Sequence, residues 1–174
     1  GLKKLSENLA DFSAGLGEML KKEMGVVYDR HMHAMLSCYT GDKERTLHLD
    51  NPHACSAEQE DLVDNGLRVT CAYYINPHWS PDDCGGGLDV FLTDPTTSPS
   101  RSAAKKANRC RVAPHADTLV LFLSERMAHQ VIANASSNTQ RWYCLSMFSI
   151  NGPVMQEMPR KLLAARNERA KNDS

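Results

Sequence analysis

A succession of short strand-like segments constrains the fold of this chain more than any other feature. Seven segments of alternating or continuous apolar residues follow one another, and turn-forming sequences separate them. No helical periodicity intervenes between the central segments, which excludes a series of parallel strands joined by helices. The pattern predicts a mainly β (α+β) fold, a β-sandwich or jelly roll. The predicted strands are residues 34–39, 45–50, 69–75, 88–92, 119–123, 130–133 and 142–150.

Helices are predicted at both ends of this β core. Residues 2–24 carry apolar side chains at spacings of three and four, which is typical of an amphipathic helix lying against a sheet. Residues 157–172 read as a basic terminal helix. Residues 52–66 and 93–111 are polar and predict loops. A chain of 174 residues suits a single domain, with its β core at about 33–150.

Two histidines and one aspartate suggest a metal site. His48 and Asp50 are two residues apart, so on a strand both side chains point to the same face. Asn51-Pro52 follows directly and places the pair at the rim of a sheet. His129 lies 81 residues after His48, between a buried strand and the next one. Two imidazoles and one carboxylate are the ligand set of non-haem Fe(II) oxygenases, and they leave coordination positions open.

Arg141 begins the last apolar strand, twelve residues after His129. It lies either at the surface end of that strand or in the interior, where a guanidinium needs an anionic partner. A bound dicarboxylate would supply that partner through a bidentate contact. Tyr39 and Tyr74 would add hydroxyl donors if their rings point into the same cavity. Their periodicity fits ordinary half-buried aromatic residues equally well.

Several segments, in order, resemble a known family. Met35 to Gly41, His48 to Pro52 and Val69 to Asn76 look like the prolyl 4-hydroxylases of the hypoxia-inducible-factor type. Trp79, Gly86-Gly87-Leu88, Leu119 to Ser124, His129 to Val131 and Arg141 continue the similarity, which spans roughly residues 33–150.

This resemblance implies a double-stranded β-helix with an Fe(II) site and a pocket for 2-oxoglutarate. It implies that O2 is the oxidant and that ascorbate supports activity. The implied metal ligands are His48, Asp50 and His129, and the implied co-substrate residues are Arg141, Tyr39 and Tyr74. In one respect the chain departs from the family, which often has Thr and Trp four and six residues after the arginine. Leu145 and Met147 stand there in this sequence.

The resemblance also implies a reaction and a kind of partner: hydroxylation of a prolyl residue in a target protein, as an oxygen-sensing modification. Substrates of such enzymes include a ubiquitin-ligase adaptor subunit, a transcription factor and a translation elongation factor. We expect no membrane partner. Scattered single cysteines indicate a reducing compartment, the cytoplasm or the nucleus.

Three alternatives remain open. The first is the same dioxygenase chemistry on nucleic acid, which the net charge of −1 and the aromatic content of 6% disfavour. The second is a zinc hydrolase, although the sequence has no HExxH-type motif. The third is a non-catalytic β-sandwich interaction module, which would bind no iron.

Overall fold

The computed structural model describes residues 1–40, 46–52, 64–92, 107–135 and 140–152. Within these ranges the chain is mainly β, as the sequence predicted, and every strand pairing is antiparallel. The helices are α1 (Leu2–Met24) and α2 (Pro81–Cys84), and the strands are β1 (Arg30–His31), β2 (Met35–Thr40), β3 (Leu67–Tyr74), β4 (Gly85–Leu92), β5 (Asn108–Val112), β6 (Thr118–Leu123), β7 (His129–Asn134) and β8 (Arg141–Ile150).

The strands form two sheets. The larger sheet has the order β1-β8-β3-β6, and β2 pairs with the same edge of β8 as β1 does. The smaller sheet has the order β5-β4-β7. Apart from β4 and β5, the paired strands are not consecutive in the chain, which is the strand arrangement of a jelly roll.

The main core lies between the two sheets, because both contribute buried side chains to one cluster. The larger sheet supplies residues from β3, β6 and β8, and the smaller sheet supplies residues from β4 and β7. The members with the largest side chains are Tyr74, Trp79, Phe122 and Trp142. Alternation along each strand directs every second residue into this layer.

Helix α1 covers the outer face of the larger sheet, as its apolar spacing predicted. Leu9 packs against Cys71 of β3 and against Leu145 and Met147 of β8. The helix ends at Gly25, whose φ of 69° gives the left-handed conformation that closes many helices. Within the described residues, no helix is long and apolar enough to cross a membrane.

Some local predictions were wrong. Residues 46–50 form only an isolated bridge at His48, not part of a strand over 45–50. The end of the predicted loop 93–111 belongs to strand β5. The two-residue strand β1 and the short helix α2 were not predicted. The predicted helix at 157–172 lies outside the described residues.

Candidate metal centre and the cavity around it

Backbone hydrogen bonds join the segments that carry the two histidines. The amide of His48 donates to the carbonyl of His129 at 3.0 Å, and the amide of His129 donates back at 2.9 Å. The centroids of the two imidazole rings consequently lie 4.3 Å apart. Main-chain pairing, rather than side-chain packing alone, therefore sets the spacing of these two candidate ligands.

In each imidazole, Nδ1 lies within hydrogen-bonding distance of a backbone carbonyl oxygen. Nδ1 of His48 lies 2.8 Å from the carbonyl oxygen of Thr46. Nδ1 of His129 lies 3.1 Å from the carbonyl oxygen of Met127. A carbonyl only accepts, so Nδ1 carries the proton in both neutral rings and the lone pair is on Nε2. This second-sphere contact is the usual way in which proteins orient a metal-binding histidine.

Asp50 completes the cluster. Its Oδ1 lies 3.6 Å from Nε2 of His48 and 3.7 Å from Nε2 of His129. These separations exceed normal hydrogen-bond lengths, and the three candidate ligand atoms all lie within 4.8 Å of one another. Burial raises the pKa of Asp50, but its interactions with His48, His129 and Thr70 outweigh burial and leave the pKa below the ordinary value. The carboxylate is therefore ionised at neutral pH.

Thr70, on β3, fixes the orientation of this carboxylate. Its hydroxyl donates to Oδ2 of Asp50 at 2.6 Å, which leaves Oδ1 directed towards the imidazoles. Thr70 also lies 2.8 Å, oxygen to oxygen, from the fully buried hydroxyl of Ser124. Thr70 was not among the site residues predicted from the sequence. The signal available in the sequence was a hydroxyl side chain within a strongly apolar strand.

The cluster opens into a cavity of about 60 Å³ between the sheets. Burial raises the pKa of Cys144, one of the lining residues, to about 11, so it remains a thiol. The lining residues that bear on its chemistry are His48, Asp50, His129, Tyr39, Tyr74, Trp142, Cys144 and Ser146.

Both predicted tyrosines line this cavity. Tyr74 is almost completely buried, and burial raises its pKa well above the ordinary value, so its hydroxyl stays protonated and can donate. The ring of Tyr39 stacks on Trp142 with 4.1 Å between ring centroids. Their predicted contact with a co-substrate stays a prediction, and their position suits it.

The structure does not bring Arg141 into the cavity. Arg141 is the first residue of β8, is exposed and is not among the lining residues. Trp142, the next residue, faces the interior with 1% of its surface exposed. Because side chains alternate along a strand, Cys144 and Ser146 share the cavity face with Trp142. The predicted role of Arg141 stays a prediction, and its position in this structure does not support it.

The donor set suits a divalent metal. Two imidazole nitrogens and one carboxylate oxygen, close together and held from behind, match the requirement for Fe(II) with open positions. The fit to a dicarboxylate is less complete. The lining supplies hydroxyl donors, but among the residues that the structure describes none that lines the cavity is an arginine or a lysine.

A jelly roll with two histidines and one carboxylate at one end of its core defines a class of metal-dependent oxygenases. The sequence of residues 34–148 matches the family model of the 2OG-Fe(II) oxygenase superfamily. The chain belongs to that superfamily, which confirms the predicted family of 2-oxoglutarate-dependent dioxygenases.

Individual relatives agree with this assignment. The chain is 31% identical over 94 residues to Egl nine homolog 1 from Rattus norvegicus and to the same protein from Homo sapiens. These matches cover 53% of this chain and 22% and 17% of the two relatives. The chain thus matches only about a fifth of the length of these relatives.

Two solved structures share the fold. A prolyl-4-hydroxylase from Pseudomonas putida has a TM-score of 0.58 and 20% identity, over 80% of this chain and 63% of that one. A prolyl hydroxylase from Trichoplax adhaerens, solved with a hypoxia-inducible-factor peptide fragment, has a TM-score of 0.59 and 23% identity, over 83% and 55%. These similarities confirm the predicted double-stranded β-helix.

Proposed function

We propose that this chain is an Fe(II)- and 2-oxoglutarate-dependent hydroxylase of prolyl residues in a target protein. The observation that carries the proposal is the convergence of His48, Asp50 and His129, inside the fold of this superfamily, with ligand atoms within 4.8 Å of one another. Similarity to prolyl hydroxylases in sequence order and in fold supports proline as the target.

In this proposal the three side chains hold the iron, which when bound supplies the oxidising chemistry. The residues of the chain position the reactants and exclude water. Thr70 keeps one oxygen of Asp50 directed towards the imidazoles. The carbonyls of Thr46 and Met127 hold each ring with Nε2 towards the metal. Apolar residues around the cavity limit the entry of solvent.

The target would be a proline-containing protein of the ubiquitin-ligase adaptor, transcription factor or elongation factor type, and the modification would report oxygen supply. The solved relative with a bound peptide supports a peptide ligand, since that enzyme was captured with one. A cytoplasmic or nuclear location belongs to the same proposal. The free thiols of Cys71, Cys84 and Cys144 in the interior are compatible with it.

The test combines mass spectrometry with isotopic oxygen. The protein is incubated with Fe(II), 2-oxoglutarate, ascorbate and a cell lysate under ¹⁸O2, and modified peptides are sequenced. We expect prolyl residues that carry one ¹⁸O atom. A zinc hydrolase would incorporate no oxygen from O2, and an interaction module would modify nothing.

Asp50→Ala is the decisive variant, because it removes the carboxylate ligand. We expect no prolyl labelling and weaker metal binding, since the two imidazoles alone make an incomplete site. Asp29→Ala is the matched control, because Asp29 is an exposed carboxylate that does not line this cavity. Equal labelling by the Asp50→Ala variant and the wild type would contradict the ligand assignment.

A further inference from the structure

The main chain that carries Asp50 is not part of a strand. Just before it, His48 and His129 form an isolated bridge, and none of the strands that the structure describes includes residues 49–51. In a sheet, a ladder of backbone hydrogen bonds on each strand holds every residue in place. The position of Asp50 therefore depends on contacts of another kind.

The segment 64–68, which leads into β3, supplies such contacts, and Asn65 reaches Asp50 directly. Nδ2 of Asn65 donates to the backbone carbonyl of Asp50 at 2.7 Å. Oδ1 of Asn65 accepts from the amide of Leu67 at 3.0 Å, a side-chain contact that closes a turn. The side chain of Asn65 is thus held by its own turn at one end and bonded to the candidate metal ligand at the other.

Asp64 ties the next residue, Asn51, to the same segment. Oδ1 of Asp64 accepts from Nδ2 of Asn51 at 2.9 Å, and Asn51 is completely buried. The backbone amide of Asn51 donates to the carbonyl of Ser124 at 2.9 Å. Both Asp50 and Asn51 are therefore bonded to the segment 64–68, the first through its main chain and the second through its side chain.

Arg68 anchors Asp64. Its Nη1 and Nη2 donate to the two carboxylate oxygens of Asp64 at 2.9 and 2.7 Å, which is a bidentate contact of defined geometry. These hydrogen bonds hold the pKa of Asp64 well below its ordinary value, so the pair is ionised. Nη2 of Arg68 also donates to the carbonyl of Asn151, directly after β8, at 3.1 Å. The segment is therefore attached to the end of the longest strand.

We propose that the segment 64–68 positions the metal centre by holding the main chain of Asp50, so that its carboxylate faces the two imidazoles. Asn65 is the residue in direct contact. Thr70 orients the carboxylate group itself, whereas this segment fixes the backbone to which the side chain is attached. The inference rests on the proposed function, because it concerns the carboxylate ligand of the same site.

The test measures metal affinity and stability in parallel. The metal-free protein is titrated with Mn(II), whose free ion gives a paramagnetic resonance signal, and its unfolding in urea is measured separately. Asn65→Ala removes the donor to Asp50 and should weaken Mn(II) binding by about 3- to 10-fold, the effect of one neutral hydrogen bond. Asp64→Asn weakens the bidentate contact with Arg68 and should cause a similar loss. Because both residues act through one segment, the double variant should lose less than the product of the two factors.

Asp89→Asn is the matched control. Asp89 forms the same kind of pair, since it accepts from Nε and Nη2 of Arg111 at 2.7 and 2.9 Å. It is 1% exposed, and its side chain does not line the cavity beside the metal site. We expect Asp89→Asn to lose at least as much stability as Asp64→Asn, because Asp89 is more deeply buried. It should nevertheless bind Mn(II) within about twofold of the wild type.

The visible spectrum of bound Co(II) separates positioning from a loss of stability. At saturating Co(II), the absorption bands depend on the number and arrangement of the ligands. A variant that folds correctly but is less stable keeps the bands of the wild type. We expect Asn65→Ala and Asp64→Asn to change the shape of these bands, and Asp89→Asn to leave it unchanged.

Two results would overturn the inference while leaving the ligand assignment intact. The first is an Asn65→Ala variant that binds Mn(II) within about twofold of the wild type and has an unchanged Co(II) spectrum. The second is an equal loss of affinity in Asp89→Asn and Asp64→Asn, because affinity would then follow stability alone. Should Asp64→Asn fail to fold, Asn65→Ala still decides, since Asn65 is only half-buried. If the wild type binds neither Mn(II) nor Co(II), the proposed function fails together with this inference.

Discussion

Removing the hydroxyl of Thr70 should weaken metal binding without disrupting the fold. Thr70→Val keeps the shape of the side chain and deletes the donor that lies 2.6 Å from Oδ2 of Asp50. A hydrogen bond to an ionised group contributes about 1.5–3 kcal/mol. At about 1.4 kcal/mol for each tenfold change, the expected loss of metal affinity is about 10- to 100-fold. Mutation of a residue that orients a metal ligand typically lowers metal affinity by about this factor.

The assay is titration with Mn(II), followed by the paramagnetic resonance signal of the free ion near neutral pH. Thr70→Ser restores the donor and should return the affinity to within about threefold of the wild type. Ser124→Ala is the more telling control. Ser124 contacts Thr70 at 2.8 Å, so both Ser124→Ala and Thr70→Val remove that interaction, but only Thr70→Val removes the contact with Asp50.

Both variants should lose some stability, since Thr70 and Ser124 are buried and each loses a partner. Only Thr70→Val should lose the metal affinity. If it binds Mn(II) within about twofold of the wild type, the orientation of Asp50 does not depend on Thr70 and the reasoning is refuted. Equal losses of affinity in both variants would point to a general loosening of the site.

Two further predictions concern stability. Gly86→Ala should lower the free energy of unfolding by about 1–3 kcal/mol in urea, because Gly86 has a φ of 74° and its new Cβ would lie 3.1 Å from the indole nitrogen of Trp142. Gly15→Ala, in an open part of α1, should raise it by about 0.5–1 kcal/mol, and effects of the same sign would contradict this account. Burial, and to a smaller extent the neighbouring Cys144, raises the pKa of Cys71 from 9.0 to about 11. Between these pH values the thiol is ionised in the unfolded chain but not in the folded one. The free energy of unfolding should therefore fall as the pH rises from 9 towards 11. Cys71→Ala should flatten that decline and Cys38→Ala, at an exposed site, should not; a decline of wild-type steepness in Cys71→Ala would refute the assignment.

Much of the fold followed from local patterns in the sequence. Continuous apolar runs predicted β6 and β8, and alternation predicted β2, each within a residue or two of its observed bounds. Strand β5 was missed because its sequence, Asn108–Val112, is polar and the strand lies at the edge of the smaller sheet, where its side chains are mostly exposed. Such a strand forms by pairing with a neighbour and leaves little periodic signal.

The candidate site, like the fold, was only partly predictable from the sequence. The spacing of His48 and Asp50 and the position of His129 were sufficient to predict their convergence, which the structure reproduces. The orientation of Arg141 was not predictable. A shift of one residue along a strand exchanges its two faces, so whether Arg141 or Trp142 points inward depends on the register of β8 against β2. No local pattern in the sequence determines that register.

The paired amides of His48 and His129 have a kinetic consequence. They close a loop of about 80 residues, and contacts between such distant residues form slowly because bringing the ends of a long loop together costs chain entropy before the contact is made. We therefore expect the three ligands to come together late in folding, when that loop has closed. A nascent or partly folded copy would hold its imidazoles apart and bind a divalent metal poorly, so we expect the complete site to appear only with the finished fold.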